Sequence, residues 1–353
     1  NAANPKSEKL DTLRTYRLQD VQVVSTRAGK HTPMAFENVT KQQIKQVNYG
    51  QDIPYLLLLT PSVTTSSDAG TGIGYTGIRV RGTDPSRVNI TANGIPINDS
   101  ESSNVYWVNM GDFASSLESM QIQRGVGTST NGAGAYGASI NLQTENIGVK
   151  PYMGLDASGG SYSTHKETFR FGTGLLGDHW GFQGRLSNIG SDGYIDRASV
   201  RLNSYFLQGG YFSDNTVVKF ITFNGTEKTY HAWNYPSLYE MSLYGRRYNS
   251  CGEYYDDNGN VHYYDNQTDN YHQQHYQLFW NQIVNKNWNF NVGLHYTKGF
   301  GYYNEYKAGR DLAEYAFTTD WNLKADLVRQ KAMDNDFYGA VASINYNDLK
   351  GLT

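Results

Sequence analysis

The architecture this sequence predicts is a membrane-spanning antiparallel β-sheet preceded by a small mixed α/β unit, and three observations predict it. After Pro151 the chain alternates apolar and polar residues with period two, over runs as long as the roughly 9 to 11 residues a tilted bilayer-crossing strand needs. The connections between those runs alternate between short and long. The texture of the chain also changes near residue 145, where short strands, short helices and many glycines give way to strand after strand.

Composition narrows the alternatives. The chain has 353 residues, of which 18% are charged, and a mean hydropathy of -0.62, so its polarity comes from Asn, Gln, Ser, Thr and Tyr. Disordered chains are polar too, but they lack the 14% aromatic content and the 29 tyrosines found here. The longest apolar run, Leu56 to Leu59, is far short of a membrane helix. A single cysteine, Cys251, excludes a disulfide framework and a Cys-based zinc site. A net charge of -3 provides no footprint for nucleic acid, and no nucleic-acid partner is expected. Asn1 to Lys9 is polar and has no signal-peptide core, so any targeting segment is expected to have been removed or left out.

In the first part, Val21 to Ser25 is β-branched. Thr40-Lys41-Gln42-Gln43 has the form of a capping box opening a helix that ends near Gln46. Asp52 is expected to cap a second helix carrying Tyr55 to Leu59, stopped by Pro61. Ile78 to Arg81, Val88 to Ala92, Met120 to Gln123 and Ile140 to Gln143 read as strands bounded by glycine or polar turn residues.

The second part contains eight candidate strands, near Tyr152, Phe169, Phe182, Leu202, Phe220, Leu278, Phe290 and Val341. In one of them Trp288, Phe290, Val292, Leu294 and Tyr296 share a face opposite Asn289, Asn291, Gly293, His295 and Thr297. Trp180, Phe182 and Leu186 likewise oppose Gln183, Arg185 and Ser187, and Val200, Leu202 and Phe206 oppose Arg201, Asn203 and Tyr205. The last strand sets Tyr338, Ala340, Ala342, Ile344 and Tyr346 on its apolar side. The apolar face of each is expected to meet lipid, with aromatics at its ends. The second, fourth and sixth connections (Leu175 to His179, Ser213 to Asn215, Asn285 to Asn287) are tight. The fifth (about Gly225 to Asn270) and seventh (Gly301 to Asp334) are long, and the first and third intermediate. A soluble sandwich has no reason to obey that parity, whereas an outer-membrane barrel has short turns on one rim and long loops on the other.

The motifs then carry a resemblance. Ile78-Arg79-Val80-Arg81-Gly82 is followed by Asn93-Gly94-Ile95-Pro96-Ile97, and Ser119-Met120-Gln121-Ile122-Gln123-Arg124-Gly125 runs into Gly132-Ala133-Gly134-Ala135-Tyr136-Gly137-Ala138-Ser139-Ile140-Asn141-Leu142-Gln143-Thr144. In order and spacing these resemble the plug motifs of TonB-dependent outer-membrane transporters. Asn93 stands where that family usually has Asp, and Val126 where it usually has Pro. The resemblance implies a flexible segment over 1–19, a Ton box and plug over 20–145, and over 151–353 the first part of a 22-stranded barrel that encloses the plug. At the strand density seen here, 22 strands need a chain of about 700 residues, so the sequence is expected to be an N-terminal piece of a longer receptor.

The resemblance also assigns roles. Arg81 and Arg124 would lock the plug to glutamates of the barrel wall, because a buried guanidinium needs a bidentate partner. Asp20, Val21, Gln22, Val23, Val24, Ser25 and Thr26 would form the Ton box, pairing as an added strand with TonB. TonB would then draw on the inner-membrane proton gradient to rearrange the plug and admit a nutrient too large for a porin. Ligand contacts are expected from the plug apex, Asn98 to Val108 with Asn104, Tyr106 and Trp107, and from a long loop rich in rigid aromatics with polar tips, including Tyr230, His231, Trp233 and Tyr235. A ferric siderophore or other metal chelate is the expected cargo. The alternatives are glycan import by a SusC-type receptor with a surface lipoprotein, and a non-transporting adhesin or phage receptor.

Gly125, Gly127, Gly132, Gly134 and Gly137 are expected in tight left-handed turns. A phosphate loop is not expected, because neither its lysine nor its downstream acid is present. His272 and His275 point to opposite faces of a strand, and Asp256-Asp257-Asn258-Gly259-Asn260 fits a hairpin turn better than a calcium loop. No metal site, cofactor or catalytic constellation is expected, and the chain is not read as an enzyme.

Overall fold

A computed structural model describes residues 27–29, 32, 34–126 and 134–346. The segment expected to pair with TonB, Asp20 to Thr26, and the glycines Gly127 and Gly132 lie outside the described residues.

The N-terminal unit starts with β1 (Ala35–Thr40) and α1 (Lys41–Val47). The capping box is in place: the Gln43 amide donates to Thr40 Oγ1 at 3.4 Å, and the Thr40 amide donates to Gln43 Oε1 at 2.8 Å. The second helix, α2 (Ile53–Leu56), is a single turn and stops short of the expected Leu59. Its Asp52 makes no capping bond and instead accepts from Thr76 Oγ1 at 2.8 Å. Leu57 is fully buried but Leu59 is 89% exposed, so nothing packs on a further turn, and a helix this short persists only through packing.

There follow β2 (Val63–Ser67), β3 (Thr76–Val80), β4 (Val88–Ala92), β5 (Ile95–Pro96), β6 (Leu117–Arg124) and β7 (Ala138–Thr144). β2 and β3 form their own hairpin, while β1, β6, β7, β4 and β5 make a sheet in that order, parallel only between β4 and β7. Gly125 takes the expected left-handed conformation at φ 100, but Gly134 and Gly137 do not. Gly137 is required for space, since a Cβ there would fall 2.4 Å from Thr83 Oγ1.

The second unit is one antiparallel sheet of eight strands, and each expected strand is present. They are β8 (Pro151–Gly160), β9 (Thr164–Leu176), β10 (Trp180–Ser191), β11 (Val200–Phe212) and β12 (Thr216–Tyr230), then, after a small external hairpin of β13 (Glu253–Tyr255) and β14 (Val261–Tyr263), β15 (Thr268–Ile283), β16 (Trp288–Asp311) and β17 (Lys324–Tyr346). Each pairs with its neighbour in the chain. Two connections differ from expectation. The first is tight, spanning only residues 161–163, with Tyr162 and Ser163 both at positive φ. The seventh shrinks to 312–323, because β16 and β17 continue as a ribbon of 24 and 23 residues, well beyond the roughly 9 to 11 that cross a bilayer.

The faces alternate as expected in β10, with Trp180, Phe182 and Leu186 exposed outward and Gln183, Arg185 and Ser187 buried inward. In β11 the expectation is reversed. Val200, Leu202 and Phe206 are buried inward, and Arg201 is on the outside beside Asp192 at 3.0 Å. The reason is that the lumen side is occupied by protein. Phe206, Ile221, Phe223 and Phe279 of the wall belong to the same apolar core as Ile90, Phe113, Met120, Ile122, Ile140 and Leu142 of the N-terminal unit. Phe113 packs on Phe223 with ring centroids 4.7 Å apart. At Gly225 the wall meets the Asn109 carbonyl so closely that a Cβ would lie 2.0 Å from its oxygen.

Candidate functional site

The chemistry of the molecule is concentrated where the N-terminal unit meets the wall. Asp112 sits at φ 51, a left-handed conformation that Asp tolerates because its short side chain bonds locally, here accepting from Ser115 Oγ at 2.5 Å. Its carboxylate is fully buried and faces two wall cations, Lys166 Nζ at 2.9 Å and Arg185 Nη1 at 3.4 Å. Thr168 and Ser187 hydroxyls also donate to Oδ2, each at 2.6 Å. Arg185 is fixed in turn by Ser116 Oγ at 2.8 Å and Ser204 Oγ at 3.0 Å, and Ser204 donates to the Gly111 carbonyl at 2.6 Å. Burial alone would raise the Asp112 carboxyl, but Arg185 and Lys166 outweigh it and hold the group below the usual carboxylate range.

This network ties the two units together with the charges opposite to those expected: the acid is on the N-terminal unit and the cations are on the wall. One signal was legible, since Arg185 already fell on the polar side of its strand, and an inward cation in a membrane strand needs a partner. Which residue would be that partner could not be read, because Asp112 lies 73 positions before Arg185 in an irregular turn.

The two expected locking arginines sit side by side elsewhere. Arg81 is exposed at φ 53, and its Nη1 is 3.4 Å from where a Cβ on Gly125 would stand. Arg124 finds its partners within its own unit, Glu37 at 3.6 Å and the Pro61 carbonyl at 3.3 Å.

At the outer end, the expected ligand residues divide. Tyr106 and Tyr235 are exposed and Asn104 and Trp233 half-buried. Asn104 serves a local turn, its carbonyl accepting from the Asp99 amide at 2.8 Å. Tyr235 reaches across from the long loop and donates to Asp68 at 2.6 Å. Trp107 is 2% exposed and lies in the shared core. Tyr230 and His231 are buried as well. The Tyr230 hydroxyl is used internally, within hydrogen-bond reach of the Cys251 and Tyr264 carbonyls at 3.2 and 3.0 Å. His231 is buried, stacked on Trp233 at 3.8 Å and edge-on to Tyr303 at 5.7 Å. Burial pushes its imidazole down to about 4, so the ring is neutral at neutral pH. The contacts of Tyr230 and His231 anchor the base of the long loop.

Reasoning from sequence did not single out Tyr303 or Arg197, whose guanidinium lies 3.4 Å above the Tyr263 ring. It also did not single out α3 (Leu238–Tyr244), which exposes Leu238, Tyr239, Leu243 and Tyr244 at the outer end. His272 and His275 do point apart: the first bonds Thr226 on the outer face, and the second stacks on Phe223 inside. Asp256 and Asn260 form the turn between β13 and β14.

Residues 28–139 match the TonB-dependent receptor plug domain. Among solved structures, the fold is similar to the ferric-catecholate import receptor Fiu of E. coli K12 in its open form, with a TM-score of 0.64 and 15% identity over 89% of this chain and 46% of that one. It is also similar to the ferripyoverdine receptor of Pseudomonas aeruginosa bound to ferripyoverdine (0.64, 12% identity, 90% and 40%). A third is BauA, the ferric preacinetobactin receptor of Acinetobacter baumannii (0.62, 14% identity, 89% and 44%). The chain therefore spans less than half the length of these structures. No curated protein sequence matches it.

Proposed function

We propose, for a chain whose residues 28–139 are a TonB-dependent receptor plug domain packed on a wall of eight antiparallel strands, that it belongs to an energy-coupled importer of a ferric chelate across the outer membrane of a Gram-negative bacterium. The observation that carries the reading is the buried Asp112 network, which holds the plug on the inner side of the wall and must be loosened before a solute can pass. The similar structures, receptors for ferric catecholate, ferripyoverdine and ferric preacinetobactin, support a metal chelate as cargo. In this reading Asp20 to Thr26 pair with TonB as an added strand, and lipid tails cover the outward residues such as Trp180, Phe182 and Leu186. Arg81 and Arg124 pair with wall carboxylates beyond these eight strands. The exposed Tyr106 and Tyr235, with Asn104 and Trp233, contact the chelate as it enters.

The test is uptake of radioiron, given as ferric citrate and as a ferric catecholate, by iron-starved cells carrying the full receptor or its Val23→Pro variant. Proline removes a main-chain donor from the segment that would pair with TonB. The expected result is retained surface binding with uptake lost. Undiminished uptake in the variant would contradict the coupling, and no uptake of either chelate by the unaltered receptor would contradict the cargo.

A further inference from the structure

Tyr75 stands at the end of the plug loop that joins β2 to β3, and its hydroxyl meets two wall carboxylates at once. It donates to Asp269 Oδ2 on β15, and its oxygen lies 3.4 Å from Glu227 Oε1 on β12. The second Glu227 oxygen accepts from Thr229 Oγ1 at 3.1 Å, and the Glu227 side chain is buried. A phenol has one proton. Burial and the two carboxylates push the Tyr75 hydroxyl well above its ordinary value, so it stays a neutral donor, and its single proton goes to Asp269. That leaves the phenol oxygen and Glu227 Oε1 facing each other as two acceptors, a repulsive contact unless a second proton lies between them.

Among the described residues, the surrounding charges give no other remedy. Asp52, from the cap of α2, and Asp269 act on Glu227, and both are acids. Burial also raises Asp52, to about 8. Tyr271 is the further titratable group beside the pair, on β15.

We propose that Glu227 is protonated in the folded protein and donates to the Tyr75 oxygen, which donates to ionised Asp269, so that this second proton completes the tie between the β2–β3 loop of the plug and the wall. The chain of donors is Glu227 Oε1–H to Tyr75 O–H to Asp269 Oδ2. The three groups then carry one negative charge instead of two. The tie is present below the pH at which Glu227 releases its proton and is lost as pH rises through it. It concerns how the plug is held and stands whatever solute the protein moves.

The experiment is infrared spectroscopy with hydrogen exchange on the full receptor in lipid. A carbonyl band of protonated carboxyl is expected to vanish on alkaline titration, to be missing in Glu227→Gln and to persist in the Asp52→Asn control. Amide exchange over residues 68–75, corrected for intrinsic rate, should rise at least about tenfold across that titration, the equivalent of one pKa unit. Gln at 227 can still donate to the phenol, so Glu227→Gln should keep the β2–β3 loop protected at both ends of the range. Tyr75→Phe should leave it unprotected at both. A band unchanged in Glu227→Gln, or the same pH profile in the unaltered protein and both variants, would overturn the proposal.

Discussion

Replacing Asp112 by Asn is the substitution whose consequences the structure specifies most fully. The amide keeps the shape and can still accept from the Thr168 and Ser187 hydroxyls, but it removes the only negative charge within salt-bridge reach of Lys166 and Arg185 among the described residues. Both cations are almost completely buried, with side-chain exposures of 6% and 3%. Removing one partner of a buried ion pair costs about 3 to 5 kcal/mol, because the remaining charge is uncompensated. At 1.4 kcal/mol per factor of ten, that raises the open population of the plug–wall contact by roughly 10² to 10⁴-fold. The assay is native-state hydrogen exchange of the full receptor in lipid, read at the Phe113–Ser116 turn and along β6. The variant should exchange faster there by that factor, while the β15–β16 pairing is unchanged. The sign with pH also follows. The folded Asp112 pKa is depressed, so its contribution is complete above the unfolded carboxylate value of about 3.9 and is lost only as pH falls through the lower folded value. The unaltered protein should therefore show no change at this contact between neutrality and about pH 5. Exchange at Phe113–Ser116 identical in the two proteins would refute the reasoning.

Gly225→Ala should lower thermal stability by about 1 to 3 kcal/mol, the usual cost of overpacking, because its Cβ would press on the Asn109 carbonyl, whereas Gly154→Ala, with no atom near, should melt like the parent. Leu186→Arg places a charge on the outward apolar face and should reduce membrane-inserted receptor, with a cost of about 2 to 4 kcal/mol near the bilayer centre; insertion at the parental level would show that this face does not meet lipid. His231→Phe should be neutral or stabilising in thermal melts at pH 7, since both ring nitrogens are buried without a hydrogen-bond partner. His231 favours the neutral ring in the folded state, so the parent should lose stability as pH falls from about 6.5 towards 4, and the variant should lack that part of the decline.

What the sequence made legible follows from what a period of two can convey. The eight strands were found because alternation marks a strand whose two faces meet different surroundings, as in Trp180 to Ser191. Alternation does not say which face meets which surrounding. In β11 the apolar side points at the plug, and Arg201 points out, because protein fills the lumen there and offers an apolar surface of its own. The α1 capping box was legible because its geometry is local, whereas Asp52 looked like a cap and is instead bound to Thr76 by a contact across the fold. The Asp112 network and the Tyr75 contact join residues far apart in the chain, so no spacing rule could expose them. The burial of Trp107, Tyr230 and His231 was not legible for a related reason: aromatic side chains with polar tips serve ligand surfaces and buried anchors alike, and only packing distinguishes them.

The central claim is that one face of the wall is bathed in lipid while the other grips the plug. Spin labels placed in turn along Trp180 to Ser191 of the full receptor in bilayers, with buried Cys251 replaced by Ser, test it most directly. Positions 180, 182 and 186 should relax strongly with lipid-dissolved oxygen, and 183, 185 and 187 should be immobile and shielded from both oxygen and a water-soluble relaxant. Equal accessibility on both faces, or access of the water-soluble reagent to the outward positions, would contradict the account.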